Sequence, residues 1–137
     1  MSSAPHPPLG RLIYLAAILY ALAIFFISSI PGLTPPTLGF VWEDKFYHFL
    51  EFGILGLLLY LAFSRRVYPR HKKAFWLALA IGILYAAVDE IHQLRVANRQ
   101  ADFWDFIADS VGIITFATVT YLVQSLLKSK SKQPDLT

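Results

Sequence analysis

The chain has 137 residues, of which 56% are hydrophobic and only 15% are charged, and its formal net charge is +3. Soluble domains carry about 25% charged residues, and here the charges cluster between long uncharged blocks, which excludes an ordinary soluble domain and is typical of a polytopic membrane protein. The absence of cysteine excludes disulfides and thiolate chemistry, and the lack of a basic segment with interleaved aromatic residues argues against nucleic acid as a partner.

Four apolar blocks predict an all-α bundle of four transmembrane helices, at about residues 12–30, 44–63, 74–93 and 102–127. The first block has no charge and is long enough to cross a hydrocarbon core of about 30 Å. It also exceeds the apolar core of a signal peptide, and no small-residue cleavage pattern follows it. The membrane domain is therefore predicted to occupy residues 12–127, between an N-terminal arm (1–11) and a basic, disordered tail (128–137).

The distribution of lysine and arginine predicts the orientation of the bundle. Nine basic residues lie in the arm, the second connection and the tail, whereas three lie at the other face of the membrane. Positive residues are retained on the cytoplasmic side, so both termini are predicted to be cytoplasmic. The first and third connections would then face outward.

The acidic residues are concentrated at the opposite face, where eight of the nine lie at or near the outward ends of helices two, three and four. In the second helix Asp44, His48 and Glu51 are four and three residues apart, so they share one helical face. The polar residues of the next two helices and their connection are Asp89, Glu90, His92 and Gln93, followed by Arg99, Asp102, Asp105 and Asp109. Because carboxylates are costly within a bilayer, these stripes are predicted to face one another around an outward-opening polar pocket.

The residues leave several interpretations of this pocket open. In the simplest, the polar groups only hold the bundle together. In a second, carboxylate–histidine pairs hold a divalent metal that activates water, and the candidate ligands are His48, Glu51, Asp89 and His92.

A third interpretation is metal-free acid–base chemistry on a bound substrate, and a fourth is binding or proton relay without a reaction. The candidate catalytic residues are His48, Glu51, Asp89, Glu90 and Asp109. The candidate substrate-binding residues are Asp44, Lys45, Gln93, Arg99, Asp102 and Asp105. Among these, Arg99 or Lys45 would hold a lipid phosphate at the level of the headgroups.

Three motifs in this order resemble the VanZ-like family of small bacterial integral membrane proteins. They are "DKFYHF" from Asp44, "DEIHQ" from Asp89, and "RQADFWDFIADSVG" from Arg99 to Gly112. The namesake of the family is linked to resistance to the glycopeptide teicoplanin, so the resemblance implies a multi-pass protein of the bacterial cytoplasmic membrane with a role in the cell envelope. One departure is "LRVANR" (94–99), where family members often have Pro-Gly in place of Ala97-Asn98. Asn98 is expected to preserve the turn by adopting a left-handed conformation.

Together the pattern and the resemblance favour recognition or modification of an envelope lipid or a lipid-linked precursor, with membrane lipids as partners. The alternatives are a structural or interaction protein whose polar cluster holds the bundle together, and a metal-dependent membrane enzyme.

Overall fold

The computed structural model describes residues 8–66 and 71–131. Within these ranges the chain forms four α-helices: α1 (Pro8–Ser28), α2 (Glu43–Arg66), α3 (His71–Gln93) and α4 (Phe103–Ser131). All four are long and apolar enough to cross a membrane, which confirms the predicted architecture. Helix α1 includes the last residues of the predicted arm, and α4 extends into the predicted tail. The remainder of the arm (1–7) and of the tail (132–137) lies outside the described residues.

The helix ends follow from local hydrogen bonding. The hydroxyls of Ser28 and Ser29 donate to the carbonyls of Ile24 and Phe25, at 2.9 and 2.6 Å, and Pro31 has no N–H with which to continue α1. Asp102 is the N-cap of α4, since its carboxylate accepts the N–H of Trp104 at 2.9 Å. Short polar side chains at the ends of the apolar blocks thus form hydrogen bonds at these two helical termini.

Helices α2 and α4 form the most extensive contact in the bundle. Glycines allow their backbones to approach closely: a Cβ atom on Gly56 would lie 2.8 Å from the backbone of Ile113, and one on Gly112 would clash with the carbonyl of Phe49. Small residues have this role in membrane bundles generally. Around this contact the buried apolar core consists mainly of Ile24, Phe52, Leu55, Tyr60, Ala78, Ala86, Ile113 and Ala117.

Helix α1 lies at the edge of the bundle, against α2 and, less extensively, α3. Two tyrosine hydroxyls tie it to these helices: Tyr20 donates to the Glu51 carbonyl at 3.1 Å, and Tyr85 donates to the Ala21 carbonyl at 2.6 Å. Every helix exposes large apolar side chains, among them Leu12, Phe26, Trp76 and Leu126. An apolar surface of this extent is expected to contact lipid, so the polar side chains are left to face inward.

The predicted orientation can be tested by cysteine accessibility, because the chain contains no cysteine of its own. Single cysteines at the exposed positions Thr37 and Gln100 should react with a membrane-impermeant maleimide in intact cells. A cysteine at Ser129 should react only after the cells are permeabilised. The reverse pattern would place both ends of the helical region on the outer face.

Candidate functional site

Polar side chains of α2, α3 and α4 meet at one end of the bundle, where α2 and α4 begin and α3 ends. The three stripes predicted from helical spacing contribute to it, and their order in the chain explains why. Helices α2 and α4 begin at this end of the bundle and α3 ends there. Three segments that are distant in sequence therefore lie at the same depth. At the centre of the cluster is Lys45.

Lys45 binds three carboxylates. Its Nζ lies 3.1 Å from Asp44 Oδ2, 2.7 Å from Asp102 Oδ2 and 2.6 Å from Asp105 Oδ1. The hydrogen bond from Lys45, together with the one from the N–H of Trp104, lowers the pKa of Asp102 below its usual value. One ammonium group therefore joins the first turn of α2 to the N-cap and first turn of α4.

His48 lies one turn further into the bundle, between two carboxylates of α4. Its Nδ1 is 2.9 Å from Asp109 Oδ1, and its Nε2 is 3.8 Å from Asp105 Oδ2. Asp109 is completely buried. An imidazole held by a buried carboxylate has a fixed orientation and can accept or donate a proton at its other nitrogen.

Helix α3 contributes two carboxylates and an amide, all buried. Glu90 Oε2 accepts the N–H of Asp102 at 2.9 Å, and Gln93 donates to Asp89 Oδ2 at 2.9 Å. The second oxygens of Asp89, Glu90 and Asp109 are buried and have no hydrogen-bond partner among the described residues. The cluster therefore retains acceptor capacity that the described residues do not use.

Arg99 and His92 lie beside this cluster and bind α1 instead. The Arg99 guanidinium donates to the carbonyls of Ile27 and Ile30 at 3.2 and 3.4 Å, where a cation also suits the C-terminal end of the helix dipole. His92 Nε2 lies 2.9 Å from Ser29 Oγ. The imidazole ring of His92 stacks on the ring of Phe25, with 4.6 Å between the ring centroids.

The metal ligands predicted from spacing, His48, Glu51, Asp89 and His92, stay a prediction. Among the described residues, the histidine nitrogens and carboxylate oxygens that lie within 4.8 Å of one another form two other groups, Asp44–His48–Asp105 and His48–Glu90–Asp109. Residues three apart differ by about 60° around a helix, and this rotation directs His92 toward α1 while Asp89 faces the cavity. The spacing of carboxylates and histidines in the sequence does not show toward which neighbouring helix each side chain points.

A cavity of about 430 Å³ opens beside the cluster, between α1, α2, α3 and the first connection. Its polar lining consists of Tyr20, Ser28, Thr34, Asp44, Tyr47, His48, Glu51, Asp89, Gln93 and Arg99. Six of the predicted pocket residues thus line the cavity, whereas Lys45, Glu90, His92, Asp102, Asp105 and Asp109 do not. The contribution of Tyr20, Tyr47 and the segment 33–36 could not be predicted, because these residues carry no charge and belong to none of the three stripes.

Fold and site together define a four-helix membrane protein with an ion-paired polar cluster at one end of the bundle. The family model of VanZ/LLP1 matches residues 11–124, and the chain belongs to this family. The match confirms the resemblance seen in the three motifs. Asn98, at the departure from the family pattern, has a φ of 58°, so the expected left-handed turn is present. Comparisons with curated proteins and with solved structures find no significant match.

Proposed function

We propose that this protein acts in the bacterial cytoplasmic membrane and binds the polar headgroup of an envelope lipid or a lipid-linked precursor in the cavity. The observation that carries the proposal is a cavity of about 430 Å³ with a charged lining at one end of four apolar helices. Ligand pockets have volumes of about 300–1,000 Å³. The cavity is thus large enough for a headgroup, while the hydrocarbon chain would remain against the apolar outer faces of the helices.

The lining favours a headgroup with several hydrogen-bond donors. Asp44, Glu51 and Asp89 supply carboxylate oxygens, and Arg99 provides the one permanently cationic side chain of the lining. Carboxylates accept hydrogen bonds from hydroxyl, amide and ammonium groups and repel bare anions. Sugar and amino groups therefore fit this cavity better than a phosphate does, and a phosphate would have to lie near Arg99.

His48 supports the alternative in which the bound group is also modified. It lines the cavity and is bonded at Nδ1 to the buried Asp109. A histidine held in this way can remove a proton from a bound hydroxyl or return one to a leaving group. Modification would therefore depend on His48 and Asp109, whereas recognition depends on the carboxylates that line the cavity.

The rival interpretation is that the polar groups serve only to hold the helices together. The ion pairs of Lys45 do join α2 to α4, but Glu51, Asp89 and Gln93 line an open cavity. Polar residues used only for helix packing gain little from facing a cavity, because their stabilising effect comes from partners across the interface. The position of these three polar side chains in the cavity lining therefore supports a bound ligand.

The proposal can be tested by native mass spectrometry of protein purified from bacterial membranes in a mild detergent. Wild-type protein should retain a lipid enriched over its share of the membrane. Glu51→Gln and Asp89→Asn should each raise the Kd for this lipid about tenfold, equivalent to about 1.4 kcal/mol, and so lower the amount retained. Glu43→Gln is the matched control, since it removes a carboxylate at the same face that binds the backbone of Leu38 and Gly39 instead of lining the cavity. Retention of bulk lipids alone, or equal retention by all variants, would contradict the proposal.

A further inference from the structure

A second potential binding site lies behind the cavity, where three helices each contribute one ligand atom. The atoms of His48, Glu90 and Asp109 lie within 4.8 Å of one another. Glu90 is 8% exposed and Asp109 0% exposed. Unlike His48, these two carboxylates do not line the cavity, so a ligand bound here would be separate from the proposed headgroup.

Two carboxylate oxygens of this site lack hydrogen-bond partners among the described residues. They are Glu90 Oε1 and Asp109 Oδ2, and both are buried. A buried acceptor without a partner costs about 1–3 kcal/mol, and more when it is charged. Such groups in native proteins require an explanation, and an ion or a water molecule that completes the site supplies one.

The charges distinguish this group from the neighbouring one. Asp44 and Asp105, which form the other group with His48, already share the ammonium of Lys45 at 3.1 and 2.6 Å. In the described part of the chain, Glu90 forms no ion pair, and Asp109 is paired only with the His48 imidazole. A cation would therefore add more at Glu90 and Asp109 than at Asp44 and Asp105.

We propose that His48, Glu90 and Asp109 bind a divalent first-row transition-metal ion between α2, α3 and α4. One imidazole nitrogen and two carboxylates suit Zn²⁺ or Mn²⁺ better than Ca²⁺ or Mg²⁺, which prefer oxygen ligands alone. Three protein ligands leave further coordination positions open. An ion has access from the cavity, which His48 lines.

The test is equilibrium dialysis of the purified, metal-stripped full chain against Zn²⁺ or Mn²⁺, followed by elemental analysis. Wild-type protein should bind about one ion per chain. Glu90→Gln and Asp109→Asn should each weaken binding by at least about tenfold, and Glu43→Gln should leave it unchanged. The same ion should raise the thermal midpoint of wild type but not of Glu90→Gln.

Wild-type protein that binds neither ion would overturn the proposal, whether or not the variants fold. Equal binding by wild type, Glu90→Gln and Asp109→Asn would also overturn it, because the ion would then be held by other acidic groups. Asp89→Asn separates this proposal from the headgroup proposal. That variant should lose the retained lipid and keep the metal stoichiometry, since Asp89 is not among the three ligands.

Discussion

Replacing Gly112 by alanine is expected to lower the free energy of unfolding by about 3 kcal/mol, near the upper end of the usual cost of overpacking a core. A Cβ atom at this position would clash with the carbonyl oxygen of Phe49 and lie 3.0 Å from the amide nitrogen of Gly53. Both are backbone atoms of α2, so a rotamer change cannot relieve the clash and the two helices must move apart. The measurement is unfolding of detergent-solubilised protein by SDS, followed by tryptophan fluorescence.

Gly10→Ala is the matched control, because a Cβ atom there would meet nothing within 4 Å. Alanine has the higher helix propensity, by about 1 kcal/mol, so this variant should be as stable as wild type or slightly more stable. Gly112→Ala should also shift the groups of α4 relative to those of α2, since Asp109 lies one turn before Gly112. If Gly112→Ala were as stable as Gly10→Ala, the backbones of α2 and α4 could not be in close contact at Gly112.

The four helices could be predicted because each is a long apolar block between polar connections, a pattern that depends only on local composition. Their ends could be predicted less well. Helix α1 ends at Ser28, two residues before the predicted end, because the hydroxyls of Ser28 and Ser29 bond back to carbonyls in the preceding turn. Such bonds depend on side-chain rotamers, and the hydropathy pattern does not report them.

The candidate site could be predicted where the spacing within one helix determines it. The stripe of Asp102, Asp105 and Asp109 does meet Lys45 and His48 of α2, as expected for two helices that begin at the same membrane face. The position of α1 could not be inferred in this way. Its Ile27 carbonyl accepts a hydrogen bond from Arg99, and Ser29, directly after the helix, binds His92. Apart from Arg11, α1 has no charged residue, so it carries no polar stripe from which its neighbours could be deduced.

Replacing His48 by alanine is expected to destabilise the protein by about 3 kcal/mol, the lower end of the cost of removing one partner from a buried ion pair. The imidazole is 2.9 Å from Asp109 Oδ1, and the two side chains are 12% and 0% exposed, so the buried Asp109 carboxylate would lose its one ion-pair partner among the described residues. The matched control is His92→Ala. His92 makes one hydrogen bond to Ser29 and one ring contact with Phe25, and its loss should cost only about 1 kcal/mol.

The double variant His48→Phe/Asp109→Leu then separates architecture from function. Apolar pairs can replace buried ion pairs with little loss of stability, so the double variant should be more stable than His48→Ala. The losses of stability caused by His48→Phe and by Asp109→Leu alone should sum to more than the loss in the double variant. If His48 and Asp109 serve only to hold α2 against α4, this variant should keep every property of the wild type. If they hold a bound ion, the double variant should fold and yet bind no Zn²⁺ or Mn²⁺. If the stability losses of the two single variants were additive, the His48–Asp109 contact would contribute nothing to stability. The two residues would then matter only for the group that they bind.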